Sequence, residues 1–188
     1  MRVISGELRG RKLEKLEGMD IRPTSDRVKE SLFNILGIKI YDCEFLDLFA
    51  GTGGIGIEAY SRGASKVVFI DESAKSVQVL RGNLEKLKVL DKVEVYNTDY
   101  TSAITKLARD NRKFDFIFID PPYLKGYAQN SLTHISEQLL LKEDGIVIVE
   151  HDMEDAMPEA VGSLKLHRQK KYGKTILSFF APNSHKEE

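Results

Sequence analysis

Five short apolar runs alternate with stretches of helical spacing, and this alternation restricts the fold more than any other feature of the chain. The runs fall at Glu44–Phe49, Lys66–Ile70, Lys92–Tyr96, Phe114–Ile119 and Gly145–Val149. Val, Ile and Phe dominate most of them, and β-branched and aromatic side chains favour strands. Between them, residues 73–88 place Val77, Leu80, Leu84 and Leu87 on one helical face. Strand–helix alternation predicts an α/β domain with a parallel sheet. Two later runs, Leu164–Lys171 and Thr175–Phe180, are separated only by Tyr172-Gly173-Lys174. Parallel strands need a long crossover, so this pair is expected to be an antiparallel hairpin. Upstream, a helix is predicted over Ser25 to Leu36. Thr24 or Ser25 can cap it, Val28, Leu32, Ile35 and Leu36 form its apolar face, and Gly37 can end it. Residues 1–16 read as a small β-hairpin turning near Gly6 to Gly10, outside the sheet.

The chain of 188 residues suffices for one domain with a sizeable core. A single cysteine, Cys43, excludes an internal disulfide framework and a Cys-based zinc site. The histidines (His134, His151, His167, His185) are scattered without metal-ligand spacing, so no metal is expected. MRVISGELRG has no apolar core of a signal peptide, and no run approaches membrane-spanning length. A cytoplasmic protein without a membrane partner is the expectation. The net charge of -1 conceals an asymmetry. Residues 1–12 carry Arg2, Arg9, Arg11 and Lys12 against Glu7 alone, and residues 163–174 carry five Lys/Arg and no acid. Between them, residues 13–162 have 18 Lys/Arg against 26 Asp/Glu. Two basic ends on an acidic body point to a polyanion, although solvated surface charge would give the same count.

The first predicted strand runs into LDLFAGTGGIGIEA. Gly51, Gly53 and Gly56 fit G-x-G-x-x-G, and Asp71 follows at the end of the next strand, where a carboxylate can accept both hydroxyls of a ribose. The pattern alone also serves plain strand–helix packing. Asp47 discriminates. A carboxylate just inside this strand end would repel a pyrophosphate but suit a ligand with an ammonium group and a sulfonium, and S-adenosylmethionine has both. Asp99, after the third strand, could accept from an adenine amino group or could cap the helix beginning at Tyr100. Asp47, Asp71, Asp99 and Asp120 stand at four successive strand ends, and ligands of open α/β sheets bind outside those ends.

The fourth strand ends in Asp120-Pro121-Pro122-Tyr123. Two prolines remove two backbone donors and fix the chain's direction. The carbonyls of Asp120 and Pro121, with the Asp120 carboxylate, then make an acceptor-rich pocket matched to the exocyclic amine of a base. Tyr123 offers a face on which a flipped base could stack. The chemistry that fits is direct displacement at a sulfonium methyl, with catalysis by positioning and electrostatics.

The glycine loop and D-P-P-Y resemble class I S-adenosylmethionine-dependent amino-methyltransferases. Together with MRVISGELRGRKL, RPTSDRVKESLFNIL and KKYGKTIL they resemble, over nearly the whole chain, the bacterial 16S ribosomal RNA guanine-N2 methyltransferase family named for guanine 966. The resemblance implies a Rossmann-like three-layer α/β sandwich with a seven-stranded, mostly parallel sheet and an antiparallel C-terminal hairpin. It implies one domain over 1–188, with residues 1–24 as an RNA-binding hairpin extension and 25–188 as the catalytic core. S-adenosylmethionine is the implied methyl donor, S-adenosylhomocysteine the product, and 16S rRNA on the small subunit or an assembly intermediate the partner. Carried over by residue, Asp47, Gly51 and Gly53 line the methionine part, Asp71 holds the ribose, Asp99 faces adenine, and Asp120, Pro121, Pro122 and Tyr123 hold the guanine. Asp71 stands where many relatives have glutamate. Arg2, Arg9, Arg11, Lys12, Arg22 and Arg27 become candidates for RNA contacts, although Arg22-Pro23-Thr24 could equally border the cofactor. A DNA adenine-N6 or cytosine-N4 methyltransferase is the nearest rival, but usually needs a target-recognition domain for which the chain leaves little room.

Overall fold

The computed structural model describes residues 1–16, 24–122 and 126–183, and contacts divide the chain into two units, Met1–Asp99 and Tyr100–Glu188. In the first unit, Ser25 starts helix α1 (Asp26–Leu36): its side chain accepts from the Val28 amide, and Gly37, at φ 56°, ends the helix. Its buried face is Val28, Leu32, Phe33 and Leu36 rather than one including Ile35, which is half-buried. Phe33 takes that place because its ring stacks on Phe45 at 6.4 Å and lies under the Arg62 guanidinium at 4.8 Å.

Strands β1 (Glu44–Asp47), β2 (Lys66–Asp71) and β3 (Glu94–Asn97) pair in parallel in the order 3-2-1. Helix α2 (Gly54–Ser61) packs on β1 and β2, and α3 (Ala74–Leu87) on β2 and β3. Val77, Leu80, Leu84 and Leu87 face inward on α3, as their spacing predicts, and Ser73 caps it. The third apolar run starts later than expected, because Leu90–Lys92 form a single 3-10 turn that delivers the chain to β3.

The second unit holds α4 (Tyr100–Arg109), β4 (Phe114–Ile119), α5 (Tyr127–Glu137), β5 (Leu141–Asp152), β6 (Ala160–Val161), β7 (Leu164–Tyr172) and β8 (Thr175–Pro182). Here the strand order is 4-5-8-7-6; β4 and β5 are parallel, and the remaining pairs are antiparallel. The described residues thus contain eight strands where seven were expected. The extra one, β6, is only two residues long and pairs with Leu164 and Lys165.

The N-terminal residues form a narrow loop-back outside these ladders, with an antiparallel bridge between Arg2 and Lys12 and the Val3 amide donating to the Arg11 carbonyl at 3.0 Å. This piece is fastened to α1, α2 and α3 by buried polar groups. Glu58 of α2, fully buried, accepts from the amides of Ile4 (2.8 Å) and Ser5 (3.0 Å) and from Arg62 (2.8 Å). Lys29 of α1, equally buried, donates to the Arg2 carbonyl at 2.7 Å and lies 3.5 Å from Glu58. Ser61 accepts from the Leu8 amide at 2.9 Å and donates to the Ser5 carbonyl at 2.6 Å. No helix among the described residues is long and apolar enough to cross a membrane.

Candidate active site

In the first unit the chain leaves β1 at Asp47 and turns through Gly51-Thr52-Gly53 into α2. The turn needs glycine for two separate reasons. Gly53 sits at φ 90°, where an added Cβ would also meet Leu80 at 2.4 Å. Gly56 has an ordinary backbone, but a Cβ there would lie 2.2 Å from the Phe69 ring, so glycine allows α2 to lie close against β2. A Cβ at Gly51 would have nothing within 4 Å, so this part of the loop has an uncovered side.

Two of the strand-end carboxylates hold this loop. Asp71 accepts the Gly51 amide at 2.7 Å with one oxygen and the Ser73 amide at 2.9 Å with the other. Asp47, 2% exposed, accepts the Gly56 amide at 2.8 Å. Burial pushes the Asp47 carboxyl up to about 7 from 3.8; the Gly56 hydrogen bond opposes this, and the negative Asp71 nearby adds to it. The Thr98 amide donates to the Asp71 carbonyl at 3.1 Å, which brings the segment leading to Asp99 beside the end of β2. The structure therefore gathers Asp47, Gly51, Gly53 and Asp71 around one turn, with Asp99 on the next strand end. Since both Asp71 oxygens already accept amides, any ribose hydroxyl must use their second lone pairs.

Asn83 was not singled out by its sequence context. It is 1% exposed on the inner face of α3. Its side-chain NH2 donates to the Thr52 carbonyl of the glycine turn (3.1 Å) and the Glu14 carbonyl (3.2 Å), while its oxygen accepts the Glu14 amide (2.8 Å). One amide thus joins the N-terminal segment to the turn. The available signal was a polar residue inside the Leu80, Leu84, Leu87 apolar stripe.

In the second unit Asp120 follows β4 directly and is half-buried, Pro121 is buried and Pro122 exposed. The two prolines border a hollow shared with Tyr127, Gln129, Glu150 and His151. His151, 2% exposed, contacts the Asp152 carbonyl through Nδ1 at 2.9 Å and Ser178 Oγ through Nε2 at 2.7 Å. The carbonyl can only accept, so Nδ1 carries the hydrogen; the Ser178 hydroxyl, which also receives Gln169 at 2.9 Å, is the partner of Nε2. Both ring nitrogens are thereby committed to holding β5 and β8. Arg2, Arg9, Arg11, Lys12 and Arg27 are all exposed, Arg2 within 3.3 Å of Asp26. Tyr123 and Arg22 lie outside the described residues. No group of three or more His, Cys, Asp or Glu among the described residues could hold a metal ion.

The profile of a family described as conserved hypothetical protein 95 matches residues 1–181. The chain belongs to this family. A Bacillus subtilis protein provisionally named rRNA methyltransferase YlbH is 42% identical, over 96% of this chain and 98% of that protein. The ribosomal RNA small subunit methyltransferase D of Escherichia coli K12 is 33% identical, over 96% of this chain and 89% of its own. Among solved structures, the Escherichia coli protein yhhF, provisionally named a methyltransferase, superposes with a TM-score of 0.85 at 31% identity, covering 98% of this chain and 99% of that one. A Salinibacter ruber RNA methyltransferase, solved with S-adenosyl-L-homocysteine, has a TM-score of 0.65 at 20% identity, covering 88% of this chain and 97% of that one, and shares the fold. The fold is the α/β fold of the class I methyltransferases, as the sequence resemblance implied.

Proposed function

We propose that this protein methylates the exocyclic N2 amine of a guanine in small-subunit ribosomal RNA, guanine 966 in the numbering of the family it resembles, with S-adenosylmethionine as donor. Asp47 carries the cofactor half of this reading. A buried carboxyl held near 7 under a glycine turn is poised to ionise beside a cation, and the donor's ammonium supplies one. The uncovered side at Gly51 leaves room for the methionine part, and Asp71 has lone pairs left for ribose hydroxyls. The substrate half is supported by the named rRNA methyltransferases aligned along nearly the full chain.

When bound, the donor offers an electrophilic methyl on a positive sulfonium. The chain's part is to hold the acceptor. Two of three acceptors, drawn from the Asp120 carboxylate and the Asp120 and Pro121 carbonyls, take the two hydrogens of the guanine NH2, whose nitrogen lone pair is otherwise delocalised into the ring. Held by two such bonds, that nitrogen becomes more tetrahedral and its lone pair is directed at the methyl. As the carbon–nitrogen bond forms, the carbon–sulfur bond breaks, and the amine proton leaves to Asp120 or to water. Tyr123 would supply a stacking face for the flipped base. Arg9, Arg11, Lys12 and Arg27 are exposed and free to meet phosphates, and an rRNA substrate implies a cytoplasmic site of action.

The test offers methyl-labelled S-adenosylmethionine and unmodified small subunits to the wild type and to Asp120→Ala. Label is expected in the RNA with the wild type, and at least about a hundredfold more slowly with the variant, the scale of losing an electrostatic group aimed at the reacting centre. A variant as fast as the wild type would remove Asp120 from the reaction.

A further inference from the structure

The second unit carries a cationic surface that the proposed chemistry does not use. Residues Leu164 to Pro182 form β7 and β8 and contain five Lys/Arg but no acid. The register of β7 is broken once: Leu166 pairs with Phe180, but Arg168 pairs with Phe179, so His167 is an extra residue in a β-bulge.

The bulge decides which charges lie together. Without it, strict alternation would put Arg168 and Lys170 on the face of Leu164 and Leu166, and Lys165 on the other. With it, Lys165, Arg168 and Lys170 stand opposite Ala181, Phe179 and Leu177, which share one face of β8, and the row ends at Tyr172 opposite Thr175. Leu164, Leu166, Gln169 and Lys171 take the other face. One inserted residue thus gathers three exposed cations into a single row.

Some surface lysines elsewhere have an acid beside them. Lys66, Lys106 and Lys142 each pair with an acid, at 3.3, 3.1 and 2.8 Å. Among the described residues, no acid pairs with Lys165, Arg168 or Lys170. Beyond Lys165 the outer edge of β7 has no strand partner among the described residues.

We propose that this face of β7 binds the phosphate backbone of the RNA substrate, as a contact surface additional to the N-terminal arginines. The inference rests on the rRNA reading above. A row of like charges along a rigid strand, without acids to neutralise it, fits a linear polyanion, and each phosphate neutralised releases a counterion. Protection of an open strand edge also uses lysines, but it needs charge of either sign. Charge reversal therefore separates the two roles, because a glutamate protects the edge and repels phosphate.

The experiment measures binding of unmodified small subunits across a salt series for the wild type, the triple variant Lys165→Glu/Arg168→Glu/Lys170→Glu, and Lys106→Glu as a control for charge reversal at a site outside the row. S-adenosylhomocysteine affinity reports folding. The triple variant is expected to keep that affinity, to bind subunits roughly tenfold or more weakly, and to show a log–log salt slope shallower by about 2 to 3. The control keeps both affinity and slope. If the triple variant loses S-adenosylhomocysteine binding, Lys170→Gln is read instead, with a slope shallower by about 1. An unchanged slope in the variant that folds overturns the inference, whether or not affinity falls. A wild type that neither binds nor methylates the RNA overturns the rRNA reading itself, and the inference with it.

Discussion

Burial holds the Asp47 carboxyl at about 7, and this has opposite consequences for binding and for stability. Below that pH, a cationic cofactor can use Asp47 only by displacing its proton. Affinity for S-adenosylmethionine is therefore expected to fall up to about tenfold per pH unit as pH drops below about 7, and to level off above it. Isothermal titration across this range checks the prediction, and Asp47→Asn should flatten the profile and weaken binding about 10- to 100-fold. For folding the sign reverses. The folded value lies above the 3.8 of an ordinary aspartate, so the native state holds a proton that the unfolded state releases between these values. The contribution of Asp47 to stability is full below about 4, declines to about pH 7 and is constant beyond. Asp47→Asn should consequently melt no lower than the wild type at pH 8, a separation of function from stability that a melting curve reads directly. Asp47 and Asp71 were legible in the sequence because strand ends and glycine spacing mark them. Their amide partners, Gly56 and Gly51, were not, since those bonds exist only once the turn has closed.

At the scale of elements, the N-terminal segment depends on side chains that it does not contain. Glu58 is buried with two backbone amides and Arg62 donating to it and Lys29 nearby. Removing one member of such a cluster leaves buried charge and amides unsatisfied, so Glu58→Ala is expected to cost about 3–5 kcal/mol in chemical denaturation. Gly6 is held as tightly: it has φ 85°, and a Cβ would lie 1.7 Å from the Ser61 carbonyl oxygen, so Gly6→Ala should release the hairpin from α2 and expose it to proteolysis. Asn83→Ala removes a tie shared with the glycine turn. It is expected to lower stability by about 1–3 kcal/mol and to weaken S-adenosylhomocysteine binding in the same variant. The hairpin itself was readable from Gly6 and Gly10, but its anchors showed only as one acid inside the apolar α2 and one amide inside the apolar stripe of α3. Strand β5 shows another limit. Only Gly145–Val149 reads as a strand, whereas the ladder extends over Leu141–Asp152 and takes in Lys142, Glu143 and Asp144. Pairing with β8 carries the strand on through Glu150, His151 and Asp152, whereas Lys142, Glu143 and Asp144 fall where the register against β4 jumps from Leu141 to Ile146, an irregularity that hydrophobic patterning passes over.

At the scale of the whole molecule, the proposal that basic ends on an acidic body bind RNA would make recognition a matter of where charge sits rather than how much there is. If six to ten phosphates are neutralised, affinity for the small subunit should fall roughly 10³–10⁵-fold between 50 and 200 mM salt, and a slope near zero would remove the basic ends from recognition. The fold class was legible because alternating strands and helices admit few architectures. The bulge at His167 was not, because an inserted residue leaves no mark on composition or periodicity until the pairing partner is known. The chemistry is tested most directly by digesting RNA from methyl-labelled reactions on unmodified small subunits and identifying the labelled nucleoside. N2-methylguanosine is the expected product. Label in a different nucleoside, or none in RNA from an enzyme that binds S-adenosylmethionine, would contradict the account.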